Sequence, residues 1–249
     1  MNKLVGRTAI VTGGAKGIGR GIAEAFAHEG ADVAIADITT NDQAAAVIET
    51  IQLTGRKAIF IRTDVADEQQ VRDMVKAVKG DFGHIDILVN NAGIFTQALV
   101  ENLSITDWDK VLGVNLRGTF LCARYVLPYM LDQGWGRIIN IASQLGYIGG
   151  QEVAHYSASK GGVIAFTKAL AREVATRNVL VNAIAPGPIL TDLLASETEE
   201  WKSAKLAELP IGRFGEVGEV APTAVFLASD DATYYVGQTL GPNGGDVMM

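Results

Sequence analysis

Six short stretches, Thr8 to Val11, Asp32 to Ala36, Lys57 to Ile61, Ile85 to Val89, Arg137 to Ile141 and Leu180 to Ala185, are rich in Val and Ile and bounded by turn residues. Near-continuous apolar runs of that length mark strands buried on both faces. Longer segments with helical periodicity separate them, among them Ile18 to His28, Asp67 to Phe82 and Ser159 to Thr176, each long enough to be the crossover helix that parallel neighbours require. Thr239 and Leu240 offer one more short strand. The alternation predicts an α/β fold, a doubly wound parallel sheet with helices on both faces.

With 249 residues and no linker, repeat or low-complexity tract, the chain reads as a single domain over 1–249. Only Pro186 to Ile211 breaks the rhythm, with three prolines and then a polar stretch carrying isolated Leu193, Leu194 and Trp201. A long segment after the last main strand is read as a substrate lid around 188–211, its alternative being a plain surface excursion.

Hydrophobic residues make up 48% of the chain and charged residues 20%, a composition that excludes a disordered protein. No apolar run approaches the roughly 18 residues of a membrane helix. Met1 to Arg7 passes into a strand without an apolar segment or cleavage site, so the expected location is cytoplasmic. The net charge of -7 and the lack of a Lys/Arg cluster argue against a nucleic-acid partner. The single cysteine, Cys122, excludes an internal disulfide and reads as a small core residue. No His/Cys cluster offers a metal site.

After the first run come Thr12, Gly13, Gly14, Ala15, Lys16, Gly17, Ile18 and Gly19, and then a helix. Glycines let backbone amides approach a pyrophosphate, and the helix N-terminus adds partial positive charge, so Gly13, Lys16, Gly17, Ile18 and Gly19 are candidate cofactor contacts. Asp37 ends the second run 18 residues after Gly19, where a carboxylate would accept hydrogen bonds from an adenosine ribose and repel a 2′-phosphate. NAD is therefore expected over NADP. Lys16 argues the other way, since it could pair with that phosphate, but a flexible surface lysine merely permits binding.

Tyr156 and Lys160 stand one helical turn apart on one face. An ammonium beside a phenol favours the phenolate, which makes tyrosine a usable acid or base near neutrality.

Taken in order, Thr12-Gly13-x3-Gly17-x-Gly19, Asn90-Asn91-Ala92-Gly93, Asn115, Ser143, Tyr156-x3-Lys160 and Pro186-Gly187 resemble the motifs of the classical short-chain dehydrogenases/reductases, over essentially the whole chain. The resemblance implies a Rossmann-type sheet of about seven parallel strands. It implies that Tyr156 is the general acid/base, that Lys160 holds the nicotinamide ribose and lowers the Tyr156 pKa, that Ser143 bonds the substrate oxygen, and that Asn115 fixes a water linking Lys160 to solvent. It further implies that Asp64 and Val65 contact adenine, that Asn91, Ala92 and Gly93 line the cofactor beside Pro186 and Gly187, and that Ile189 and Thr191 hold the nicotinamide carboxamide. Each has an ordinary alternative: Ser143 could end a strand, Asn115 could bond to backbone within its helix, and Thr191 could cap the next helix. Asn90 reads as a tie between strands, and His155, about 100° around the helix from Tyr156, as structural or surface.

The activity so implied is interconversion of a secondary alcohol and a ketone by hydride transfer, with NAD as cofactor. Gln144, Leu145, Phe95, Pro188 and the lid from Leu193 to Trp201 would frame a mostly apolar substrate pocket, and Gln151 and Glu152 would add polar contacts. The alternative is an NADPH-dependent 3-oxoacyl-carrier-protein reductase. Against it stand Asp37 and the Gly134-Trp135 pair where such an enzyme would offer a basic residue, although Arg172 and Arg177 are available. Sensors of the same superfamily that only bind dinucleotide usually lose the Tyr/Lys pair, so its presence favours an enzyme. The resemblance also implies a homotetramer. The tail Val247, Met248, Met249 fits a partner surface or a frayed terminus. Asn243 stands where the family more often has Asp before Gly244-Gly245.

Overall fold

The computed structural model describes residues 2–195 and 197–248. Met1, Ser196 of the expected lid, and Met249 of the apolar tail lie outside the described residues, as does the side chain of Leu193. Seven strands, β1 (Thr8–Thr12), β2 (Asp32–Asp37), β3 (Ala58–Arg62), β4 (Ile87–Asn90), β5 (Gly136–Ile141), β6 (Val179–Ile184) and β7 (Thr239–Leu240), form one sheet in the order β3-β2-β1-β4-β5-β6-β7. Every pairing is parallel. The helices are α1 (Gly17–His28), α2 (Asn41–Leu53), α3 (Glu68–Phe82), α4 (Ile105–Leu112), α5 (Gly118–Gln133), α6 (Leu145–Ile148), α7 (Ala154–Val174), α8 (Asp192–Ala195), α9 (Glu199–Glu208) and α10 (Val217–Ala228).

Successive strand residues point to opposite faces, and each face carries its own core. Ala9 and Val11 of β1 join Ile22 and Phe26 of α1, Val47 and Ile51 of α2 and Val220 and Leu227 of α10. Ile10, between them, joins Met74 and Val78 of α3, Val126 and Met130 of α5 and Leu170 and Val174 of α7. Cys122 is fully buried in this second core, and burial pushes its thiol up to about 12.

The chain winds outward from β1 through β2 to β3, then crosses back to lay β4 against the other side of β1. The loops leaving β1 and β4 therefore diverge and leave a crevice at the carboxyl ends of the strands, where doubly wound sheets bind their ligands. Within the sheet, the Asn90 amide donates to Asn140 Oδ1 at 2.9 Å, and the Asn140 amide donates to Thr167 on α7 at 2.8 Å. Asn90 is thus the tie between strands that the sequence suggests.

The expected elements are present with shifted ends. α7 starts at Ala154, five residues before the expected Ser159, so Tyr156 sits in its first turn. The segment read as a substrate lid around 188–211 contains α8 and α9. Its polar composition hid a helix whose N-terminus is capped by Thr198, the hydroxyl accepting the Trp201 N–H at 3.2 Å. Between α4 and α5, Gly113–Arg117 forms a π-helical turn, so one helical run extends from Ile105 to Gln133 with its irregular part at Asn115.

Candidate active site

The turn after β1 is built to approach another group closely. Gly13 has φ of +61°, and a β-carbon on Gly19 would lie 2.2 Å from the Gly13 carbonyl oxygen. Neither position has room for a side chain. Lys16 stands at the N-cap of α1 with no side-chain cap, leaving the first amides of that 12-residue helix without intrahelical partners. Asp37 closes over the same turn: Oδ2 accepts the Ala15 N–H and Oδ1 the Thr39 N–H, both at 3.1 Å. This cradle of close-packed glycine, bare helix N-terminus and carboxylate suits a dinucleotide, whose pyrophosphate would lie on the amides and whose ribose hydroxyls would face Asp37.

Thr12, a motif residue given no role by sequence, anchors the crevice. Its hydroxyl accepts the N–H groups of Asn91 and Ala92, both at 3.0 Å, while the Asn91 amide donates to the carbonyls of Thr12 at 3.0 Å and Gly13 at 2.9 Å. The β1 turn and the β4 loop are thereby one unit. Asp64 folds back on its own chain, accepting the Ala66 N–H at 2.9 Å, and the Val65 side chain packs so closely on α5 that a β-carbon on Gly118 would lie 2.7 Å from it. Lys16 is largely exposed and stands 3.9 Å from Asp192, which is also exposed.

At the other end of the crevice three elements converge. β5 delivers Ser143, α7 delivers Tyr156 and Lys160, and the β4 loop delivers Phe95, whose ring meets Tyr156 edge-on at 5.2 Å between centroids. The Ser143 hydroxyl faces the Tyr156 phenol closely enough to lower its pKa, and it accepts the Leu145 N–H at 3.2 Å. Lys160 is 4% exposed and donates to the Ile141 carbonyl at 2.7 Å. A β-carbon on Gly93 would lie 3.6 Å from the Lys160 ammonium, so the β4 loop forms the wall opposite it.

The electrostatics differ from the sequence expectation. Burial raises the Tyr156 pKa above 10, more than the Ser143 hydrogen bond lowers it. Burial also lowers Lys160 to about 8. Lys160 does not hold the phenol down here, because its ammonium is drawn to Ile141 and stands 5.6 Å from the tyrosine ring centroid. Both groups are pushed toward their neutral forms.

Asn115 and Gln144 are both engaged by the protein itself. Asn115 does not bond within its own helix: its amide spans Ile94, accepting that residue's N–H at 2.8 Å and donating to its carbonyl at 3.0 Å, and it also donates to Ser159 at 3.1 Å. It clamps the β4 loop, with both its N–H donors occupied by protein. The Gln144 side chain, 5% exposed, turns to Asp246 of the tail. Leu145 and Pro188 are half-buried. Pro186 is buried and its carbonyl accepts the Gln144 N–H at 3.2 Å, while Gly187 is pressed against Asn243. Ile189 is buried and bridges to Gly215, and Thr191 donates from its hydroxyl to the Ile189 carbonyl at 3.3 Å. His155 is fully buried, with Nε2 2.6 Å from the Thr96 hydroxyl, a structural place. A cavity of about 670 Å³ lies elsewhere, among Val5, His28, Leu53 and Arg56 at the amino-terminal end of the sheet, and contains none of these residues. Among the described residues no group of His, Cys, Asp and Glu could hold a metal.

The sequence matches the family model described as short chain dehydrogenase over residues 7–202. The chain belongs to the short-chain dehydrogenase/reductase family. It is accordingly an NAD(P)-dependent oxidoreductase acting on a CH–OH group. It is 43% identical to the 3-oxoacyl-(acyl-carrier-protein) reductase FabG of Staphylococcus aureus, over 97% of this chain and 98% of that one. A short-chain type dehydrogenase/reductase from Mycobacterium marinum has the same fold, with TM-score 0.95 and 35% identity over 100% of this chain and 98% of that one. A protein from Beutenbergia cavernae, provisionally described as an NAD(P)-dependent gluconate 5-dehydrogenase and holding NADP at low occupancy, has TM-score 0.92 and 40% identity over 98% of each chain. Among the described residues no helix is long and apolar enough to cross a membrane.

Proposed function

We infer that the chain is a reductase of 3-oxoacyl thioesters, interconverting the 3-keto and 3-hydroxy forms, and that it draws its hydride from NADH in preference to NADPH. The observation that carries the thioester is the 43% identity to a 3-oxoacyl-(acyl-carrier-protein) reductase across nearly the whole of both chains. Asp37 carries the cofactor preference: a carboxylate beside the glycine turn repels a 2′-phosphate, and the cations that oppose it are exposed, Lys16 in the turn and Arg62, the residue paired with Asp37 across β2 and β3.

Tyr156 is the proton donor in reduction and the acceptor in oxidation, and Ser143 is the donor that meets charge developing on the substrate oxygen, a contribution worth roughly 3 kcal/mol. Bound nicotinamide supplies or takes the hydride. Lys160 holds its ribose and keeps a proton available one helical turn from Tyr156. Asn115, through Ile94, holds the β4 loop that forms the wall opposite Lys160. Gly13, Lys16, Gly17, Ile18 and Gly19 line the pyrophosphate, Asp64 and Val65 the adenine, Asn91, Ala92 and Gly93 the middle of the cofactor, and Pro186, Gly187, Ile189 and Thr191 the nicotinamide end. The whole of 1–249 is one catalytic domain, and 188–211, with α8 and α9, is its lid.

The second reading is an NAD-linked dehydrogenase of a small secondary alcohol or polyol, favoured by Asp37 and by Gly134-Trp135 in place of a basic docking residue. Cytoplasmic location and a homotetramer complete the reading. Phe120 on α5 is 43% exposed and meets Phe166 of α7 edge-on, an apolar face suited to a second subunit. The absorbance of reduced nicotinamide, followed with 3-oxoacyl thioesters, simple ketones and polyols and with both cofactors, tests the substrate and the cofactor. Turnover of the thioester at least tenfold above the other classes supports the first reading; turnover of a polyol or simple alcohol alone overturns it in favour of the second.

A further inference from the structure

The C-terminal tail carries a side chain that joins the lid to the catalytic loop. Asp246 has a carboxylate 7% exposed, and the Lys205 ammonium from α9 stands 2.8 Å from Oδ1 and 2.7 Å from Oδ2. The Gln144 amide, adjacent in sequence to Ser143, donates to the same Oδ2. One carboxylate thus holds a residue of the lid and a residue of the loop that presents Ser143.

The tail is built to place it there. Gly244 has φ of +67°, and a β-carbon on it would lie 2.7 Å from Ile211 at the foot of the lid. The Gly244 carbonyl accepts the Ile211 N–H at 3.2 Å, and the Asn243 amide donates to the Val247 carbonyl at 2.7 Å. The turn is therefore fixed on both sides of Asp246. Gln144 adds a second mark of constraint: its Oε1 is buried without a hydrogen-bond partner, so the amide orientation follows from its donation to the carboxylate.

We propose that Asp246 is a positioning residue, which through Lys205 and Gln144 fixes the closed lid over the substrate cleft and keeps the Ser143 loop in register with it. The proposal rests on the reading of 188–211 as a lid and of Ser143 as the substrate donor. An ion pair this enclosed is worth enough to bias the lid, and losing it raises the amount of substrate needed to close the site rather than slowing the chemistry once closed.

The test compares Asp246→Asn, which keeps an acceptor for Gln144 and removes the charge, with Lys205→Met and with the double variant. Each single variant is expected to raise KM for the carbonyl or alcohol substrate about tenfold, with kcat and cofactor affinity within about threefold, and the double variant is expected to be no worse than either single one. Amide hydrogen exchange over 199–208 in the cofactor-bound protein, read by mass spectrometry, is expected to speed up about tenfold in the same variants. Multiplying KM effects in the double variant, or unchanged exchange in α9, overturns the proposal. If no substrate is turned over even by the unaltered protein, the catalytic reading fails, while exchange in α9 still decides whether Asp246 holds the lid.

Discussion

Lys160 donates to the carbonyl of Ile141 at 2.7 Å, two residues before Ser143, so the lysine is tied to the strand that delivers the serine. Burial lowers the ammonium to about 8 in spite of that contact, and burial also leaves the phenol of Tyr156 above its usual 10. Reduction needs Tyr156 protonated and Lys160 charged. In kcat/KM for the reduced cofactor, which reports on the free enzyme, reduction is expected to fall as pH rises through about 8. Oxidation is expected to improve with pH. A reduction profile that stays level from well below to well above that value removes Lys160 from the step.

Tyr156→Phe removes the proton donor and little else, since Phe95 packs against a ring that both residues share. Turnover is expected to drop by about 10²–10⁴-fold with cofactor affinity, read by fluorescence titration, within about threefold. Activity within tenfold of the unaltered protein contradicts the role.

Lys160→Met gives the opposite result for stability. A lysine lowered from 10.5 to about 8 binds fewer protons folded than unfolded between those values, so its cost is complete below the folded pKa and disappears above 10.5. At neutral pH that cost is of order 3 kcal/mol, and the lost charged hydrogen bond to Ile141 offsets about 2 kcal/mol of it. The variant is expected to be inactive yet more stable by about 1 kcal/mol near pH 7, measured by denaturant unfolding, with the gain vanishing as pH approaches the unfolded value. Equal or lower stability at neutral pH counts against a buried, depressed lysine.

The fold was legible because its determinants are local. Buried parallel strands such as β1 and β6 write themselves as Val/Ile runs, and Gly13 and Gly19 mark a turn that tolerates no side chain. Tyr156, Lys160 and Ser143 were legible through their spacing and family motif. What escaped was long-range and polar. α9 is held by a Thr198 cap and by Lys205 reaching a residue 41 positions away, and no periodicity encodes that. The partners of Asn115, Ile94 and Ser159, come from two other elements, and the turn of Gln144 toward Asp246 depends on where the tail returns. The direction of the Tyr156 shift also depends on burial, which outweighs the one-turn spacing to Lys160.

Asp37→Ser tests the cofactor. The serine removes the charge that would repel a 2′-phosphate, along with one acceptor for Ala15 or Thr39. The ratio of kcat/KM for NADH over NADPH is expected to fall at least tenfold, largely through KM for NADPH. An unchanged ratio in initial-rate measurements refutes the assignment.

Asn115→Ala separates clamp from chemistry. Asn115 is fully buried, and its amide satisfies both the N–H and the carbonyl of Ile94 while bonding Ser159. Alanine leaves two backbone groups of the β4 loop without partners, at about 1–3 kcal/mol each. The unfolding midpoint is expected to drop by roughly 4–24 °C for a chain of this size. Because the loop also carries Phe95 against Tyr156 and Gly93 beside Lys160, cofactor affinity is expected to weaken along with turnover. Loss of turnover with an unchanged midpoint and unchanged cofactor affinity would instead place Asn115 in the proton path and not in the scaffold.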